Sequence, residues 1–172
     1  MMRIVLVSLS LLLFIAFAAD SADRIFNRMP TRFSVELVRA KGLASALDPG
    51  AAEPPAFDLL VHVNNGRYYN LWDGGSDVVV SYAGVPLARG RTPAIYVEAN
   101  NALTLAANAT SSGGVGIPED LFRLMSEERG SGAARLHVDL WLGSGLFTCT
   151  VDLDGEHRVS TTCDNPSVIY SS

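Results

Sequence analysis

Cys149 and Cys163 carry the most definite chemistry in this chain: they are its two cysteines, both near the C-terminus, and an oxidising compartment would join them. The residues between them allow a test of that pairing. Asp154-Gly155 invites a two-residue turn, but this register sets Leu153 opposite Glu156 and Cys149 opposite Ser160, so Cys163 faces the wrong way. A five-residue loop over residues 154–158 pairs Leu153 with Val159, Val151 with Thr161 and Cys149 with Cys163. Cross-strand Cβ atoms lie roughly 4.5–5.5 Å apart, close to what a disulfide requires. The wider loop and the bond are therefore expected, and closing that segment contributes about 3 kcal/mol in the chain-entropy model.

Other reactive residue types do not converge in the sequence. His62, His137 and His157 are far apart, and strand alternation puts His62 and His137 on the faces opposite the apolar sets. Neither His-x-x-x-His nor Cys-x-x-Cys spacing supports zinc. Asp152-Leu153-Asp154-Gly155 lacks the further acidic ligands of a calcium loop. Gly113-Gly114-Val115-Gly116 precedes a helix start but has no Gly-Lys-Ser/Thr, and Glu119-Asp120 would repel phosphate; it reads as a flexible loop. No serine sits in Gly-x-Ser-x-Gly, and Val38 stands three residues before Lys41, which excludes Ser-x-x-Lys. No metal, cofactor or catalytic residue is expected. Asn108-Ala109-Thr110 is the usable glycosylation sequon, because Asn165-Pro166-Ser167 has a central proline. Tyr68, Tyr69 and Trp72, with Trp141 on the polar side of its strand, form the candidate partner surface. The ordinary alternative is that aromatics near a sandwich edge cap the core.

The elements that hold these residues follow from apolar alternation. Residues 32–39 place Phe33, Val35 and Leu37 on one side, the period of a half-buried strand. Residues 41–56, with Asp48-Pro49-Gly50 and Pro54-Pro55, form a loop. Phe57, Leu59, Val61 and Val63 mark a second strand, ended by a turn at Asn65-Gly66. Tyr68 to Trp72 is short and aromatic. Val78, Val80 and Tyr82 face one way, and Ala83-Gly84 bends the chain into residues 85–88. Residues 92–99 and 101–107 alternate and read as one long bent strand. The helix begins at Pro118, a residue suited to a first helical position. Its acids Glu119 and Asp120 favour the positive end of the dipole, Leu121, Phe122, Leu124 and Met125 cover one face, and Gly130 stops it. Residues 135–142, 146–153 and 159–163 complete the strands. About seven strands at this spacing predict an all-β fold, a seven-stranded antiparallel β-sandwich with one short helix near residues 118–129.

Met1-Met2-Arg3 is followed by an apolar run over residues 4–19, with Ala16 and Ala18 in Ala-x-Ala order, the pattern of a secretory signal peptide. Residues 1–18 are read as a signal peptide cleaved after Ala18, or as an uncleaved signal-anchor slightly short of the ~20 residues of a typical span. Residues 19–31 form a tether, 32–165 the domain and 166–172 a tail. Either way the body faces outward, in the extracellular space or on the plasma membrane. Charged residues make up only 18% of the chain and apolar ones 48%, which describes a packed domain rather than a disordered tail. Thirteen basic side chains face 18 acidic ones, and only Lys41 is a lysine. That balance excludes nucleic acid and anionic lipid as partners recognised by clustered basic charge, and leaves membrane contact to residues 4–19.

The segment Val78-Val79-Val80-Ser81-Tyr82-Ala83-Gly84-Val85-Pro86-Leu87-Ala88-Arg89-Gly90 resembles the centre of the plant late embryogenesis abundant group 2 domain. That family includes the harpin-induced-like proteins and is close to the water-stress and hypersensitive-response domain. Phe57-Asp58-Leu59-Leu60-Val61-His62-Val63-Asn64 resembles the strand before the family's Asn-Pro-Asn turn. Gly116-Ile117-Pro118-Glu119-Asp120-Leu121 resembles its late helix entry, and residues 140–153 its closing strands. The likeness covers about residues 32–163 and rests on strand and turn patterns. It implies a sandwich similar to fibronectin or immunoglobulin domains, plus a helix, in a protein of stress or pathogen response at membranes. Asn65 stands where the family usually has proline, and Met1-Met2-Arg3 stands where it usually has a cytosolic tail.

The leading expectation is a non-enzymatic stress- or defence-response protein of this type. One alternative is a secreted binding module for a small apolar ligand, held between the sheets or under the helix. The other is a hydrolase-like enzyme, which needs a base within hydrogen-bond reach of a nucleophile in a cleft.

Overall fold

The computed structural model describes residues 31–48, 53–114, 116–142, 145–153 and 163–164, together with Phe14, Ile15, Phe17 and Ala18, which are helical. The rest of the leader, most of the tether, the loop over residues 154–158, residues 159–162 of the expected last strand and the C-terminal tail lie outside these residues. Among the described residues no helix is long and apolar enough to cross a membrane.

The body is all-β, with one late helix: seven antiparallel strands form a large sheet and two more a small one. Its strands are β1 (Arg32–Lys41), β2 (Ala56–Asn65), β3 (Leu71–Asp73), β4 (Asp77–Tyr82), β5 (Val85–Arg91), β6 (Ile95–Val97), β7 (Asn101–Thr110), β8 (Arg135–Leu142) and β9 (Gly145–Asp152), and its helix is α1 (Glu119–Gly130). The two layers of the sandwich are the two halves of one seven-stranded sheet, in the order β1-β2-β7-β5-β4-β8-β9, while β3 and β6 form a separate two-stranded ribbon. The halves meet only at a short ladder, Arg89↔Thr110 to Arg91↔Asn108, where the sheet bends over. Its outer edges then approach each other: the rings of Phe33 in β1 and Phe147 in β9 have centroids 4.3 Å apart. Cys163-Asp164 fills the remaining seam. Asp164 pairs with Thr148 of β9, and the Cys163 amide donates to the Phe33 carbonyl at 3.0 Å. The result is nearly a closed barrel, which leaves few backbone groups unpaired at its edges.

Inside it, the alternate residues Val35, Phe57, Leu59, Val61, Val78, Val80, Leu136, Val138 and Leu140 are buried. At ~25 cal/mol per Å² of apolar surface, this core is the main favourable term in folding. Val38 is exposed because β1 carries a bulge between Leu37 and Arg39, which lets two residues oppose one. Ala83-Gly84 makes the tight turn between β4 and β5, both with positive φ (48° and 79°), as a type I′ turn requires.

Residues 92–107 are not one bent strand. Asn100 at φ 55° breaks the chain, β6 pairs with β3, and β7 pairs with β2 and β5. Asn is one of the few side chains that accept this conformation. The loop read as flexible is also pinned: Gly116-Ile117 lies in a parallel bridge beside Ser45, with the Ala46 amide bonded to the Ile117 carbonyl at 2.8 Å.

Helix α1 covers the barrel end at which β1 finishes, inserting Leu121 and Met125. Two hydroxyls tie it down: Ser45 donates to Glu119, and Tyr82, 1% exposed, donates to Glu128 at 2.7 Å. Burial, then the hydrogen bond to Glu128 and its charge, push the Tyr82 phenol up to about 12 from 10.0. A raised folded-state value means that this contribution is whole below pH 10 and is lost as pH climbs towards about 12. Tyr82→Phe should cost about 1 kcal/mol at neutral pH. It should also flatten the fall in stability across that alkaline window, as read by urea unfolding of both proteins at matched pH.

Gly90 marks the close approach at the bend. A Cβ there would fall on the Asn108 carbonyl. Gly90→Ala should cost about 1–3 kcal/mol through overpacking, seen as a lower urea midpoint with an unchanged slope.

Candidate functional site

The ribbon β3–β6 sits at the barrel end opposite α1, and its two faces differ. Ile95 and Val97 turn inward and are buried, while Trp72 and Tyr96, directly opposite each other across the ribbon, turn outward and are 71% and 57% exposed. The loop entering β3 adds Tyr68 and Tyr69, 54% and 50% exposed. These rings do not cap the core. An outward Trp–Tyr pair with two further tyrosines is the largest group of exposed aromatics among the described residues, and such patches mark interaction surfaces.

The loop is held in place by buried polar chemistry. Asn65, which the sequence presents as a turn residue, is the last residue of β2 and is 0% exposed. Its amide nitrogen reaches the carbonyls of Tyr69 (2.8 Å), Glu98 (3.1 Å) and Val97 (3.3 Å), and its oxygen accepts from the Arg67 amide at 3.3 Å. Asn70 repeats the device on the surface, accepting from the Ala99 amide at 3.0 Å and donating to the Tyr96 hydroxyl at 2.6 Å. The Arg67 guanidinium lies 5.3 Å from the centre of the Tyr69 ring and donates to its hydroxyl, a cation–π arrangement. At the far end, Asp73 Oδ1 accepts from the Gly75 amide and the Ser76 hydroxyl. The aromatic rings thus stand on a fixed frame.

Trp141 lies on the outer face of β8, 46% exposed, and lines a cleft of about 430 Å³ with Asp77, Val79, Arg89 and Gly90. A second cleft, about 350 Å³, is lined on the outside of β1, β2 and β7 by Arg32, Ser34, His62, Asn64 and Thr104. A third, about 470 Å³, lies beside the end of β1 among Arg39, Lys41, Leu43, Arg129 and Leu153. The first two lie on outward faces of the sheet, not between its layers. The size suits a small ligand, but the surroundings are not those of an enclosed apolar site.

Strand register also assembles a group that the sequence leaves scattered. His62 Nδ1 lies 2.9 Å from the Thr104 hydroxyl, and its Nε2 lies 3.5 Å from Glu36. A hydroxyl, an imidazole and a carboxylate in line meet the minimum for a nucleophile with its base. The surroundings do not complete a catalytic site. All three lie on the outward face of β7, β2 and β1, where the strands bond to one another. Ladder amides point along the sheet rather than out of it, so none is aimed at a developing oxyanion. His62 and Glu36 are over one-third exposed. Cross-strand polar pairs on a wet face account for the geometry. His62→Ala should change stability by no more than about 0.5 kcal/mol, measured by thermal unfolding. His137 is likewise outward, its Nδ1 3.5 Å from the Thr150 hydroxyl, and His157 is outside the described residues.

Cys149 and Cys163 are joined, with Cα atoms 4.2 Å apart. Thr148 and Asp164 exchange both backbone hydrogen bonds, at 2.8 and 2.9 Å. The next pair inward, Cys149 and Cys163, is therefore the closer, non-hydrogen-bonded kind. Asn108 is exposed in β7, between Asp58 of β2 and Arg91 of β5, so its side chain is accessible to modification. Among the described residues no group of three or more His, Cys, Asp or Glu could hold a metal ion.

No family model and no curated protein matches the chain. Among solved structures it is similar to a protein from Archaeoglobus fulgidus, at 14% identity and a TM-score of 0.32, over 75% of this chain and 93% of that one.

Proposed function

We propose that this chain is a non-enzymatic domain of the late embryogenesis abundant group 2 type. It works in stress or defence on the outer side of the plasma membrane, and its aromatic end makes the contact that matters. The observation that carries this reading is the Trp72–Tyr96 pair: two large rings kept in water on a ribbon whose other face is buried and whose approach loop is fixed by Asn65. Exposed apolar surface held rigid costs solvation and loses little entropy on binding, which suits a contact surface. The disulfide favours an oxidising location. The apolar run over residues 4–19 supplies the route there, either as a removed leader or as an anchor.

The test is to express the full chain and a Trp72→Ser/Tyr96→Ser variant in plant tissue and score dehydration and pathogen responses at equal protein level. Both substitutions are outward, so the variant should fold, with a thermal midpoint lowered by only a few degrees for the lost ring pair and the Asn70–Tyr96 hydrogen bond, and lose the response. A variant as effective as the parent would remove the aromatic end from the mechanism.

A further inference from the structure

We infer that the aromatic end lies against the bilayer surface, as an interfacial contact of the folded domain with lipid. This rests on the anchored form of the proposed function, in which residues 4–19 stay in the membrane.

The chain enters the barrel at its aromatic end. Arg32, the first residue of β1, pairs with Asn64 of β2. Asn65 follows directly, and its amide holds the carbonyls of Tyr69, Val97 and Glu98. The tether therefore leaves from the same end of the barrel that carries Tyr68, Tyr69, Trp72 and Tyr96, while α1 covers the other end. Residues 20–31 reach at most about 40 Å when fully stretched and span roughly 20 Å as a relaxed coil. A domain of this size is about twice that coil span across. The short tether thus holds the end it leaves from towards the membrane.

The chemistry of that end suits the lipid headgroup region. Its exposed large apolar side chains, among the described residues, are tyrosine and tryptophan, the two types enriched at membrane interfaces because an apolar ring carries a polar edge. Arg32 and Arg67 lie at this end, where a cationic side chain suits headgroup phosphates. Asp73 and Glu98 at this end, like Asp20 and Asp23 on the tether, offset the arginines, so the contact falls to the rings and not to net positive charge. Contact through rings does not need the clustered lysines that an electrostatic lipid site requires.

The chain has two tryptophans, so Trp141→Phe leaves Trp72 as the sole indole. This full-length variant is reconstituted into phosphatidylcholine vesicles, with and without lipid brominated near the headgroup. Flotation after alkaline carbonate reports whether the chain is retained, and Trp72 emission reports where the ribbon lies. The expected result is retention, a blue-shifted Trp72 emission, quenching by the brominated lipid and protection from aqueous acrylamide. Replacing Tyr68, Tyr69 and Tyr96 by serine in the same background should reduce the quenching without releasing the chain. Failure of the chain to float would overturn the anchored reading and this inference together. Retention with a water-exposed, unquenched Trp72 would overturn this inference alone. Shielding of the indole by added polysaccharide or protein, and not by lipid, would overturn it equally.

Discussion

Asn65→Leu should destabilise the domain by about 3–5 kcal/mol, each lost hydrogen-bond partner costing roughly 1–3 kcal/mol. It withdraws the side-chain amide from three buried or half-buried carbonyls, of which Glu98 keeps the Asn101 amide at 3.2 Å, and it removes the acceptor of the Arg67 amide. The carbonyls are those of Tyr69, Val97 and Glu98. For a domain of this size, that cost lowers the thermal midpoint by roughly 10 °C. A nearly isosteric hydrocarbon isolates the effect, since the loss is in hydrogen bonding rather than volume. A second readout follows from position. Residues 66–70 and 96–100 are joined through Asn65 and Asn70, so amide exchange in both segments should accelerate more than in β4 or β8. A stability within about 1 kcal/mol of the parent would show that Asn65 does not hold the aromatic loop.

The second large effect lies at the barrel seam. Replacing Cys149 and Cys163 together by serine should cost about 3 kcal/mol, from the freed loop entropy of the unfolded chain. The geometry predicts where the loss appears. Cys163 donates its amide to Phe33 of β1 while Asp164 pairs with Thr148 of β9. The bond thus fastens the short segment that joins the two outer edges of the sheet. Without it, protection of the amides of residue 163, Asp164 and Thr148 against hydrogen exchange should fall together, ahead of the centre of the sheet. Reduction of the parent protein should reproduce the result. Equal denaturant midpoints for oxidised and reduced protein would show that the seam is held by packing alone.

Strand alternation made most of the barrel legible. Phe33, Val35 and Leu37, or Leu136, Val138, Leu140 and Leu142, separate inside from outside at period two, and β8 falls on residues 135–142 as its alternation required. The cysteine register was legible for the same reason, because a slip of one residue would turn Cys163 to the opposite face. What escaped was non-local. Nothing near Trp72 announces that its cross-strand partner is Tyr96, more than twenty residues away. The outward position of Tyr96 follows from the inward Ile95 and Val97, but its role depends on that pairing. Asn65 was hidden by its own composition, since Asn-Gly reads as a turn. Only the fold places the Val97 and Glu98 carbonyls beside it. The Thr104–His62–Glu36 alignment shows the converse: register brings reactive types together on a wet face without building a catalytic site.

The proposal of an external, disulfide-closed domain is tested most directly by peptide mapping, without reduction, of the full chain recovered from intact cells that express it, combined with protease shaving of the cell surface. A Cys149–Cys163 cross-linked peptide from a domain that external protease can reach is the expected result. A cytosolic domain, beyond reach of the protease and with both thiols free, would contradict it.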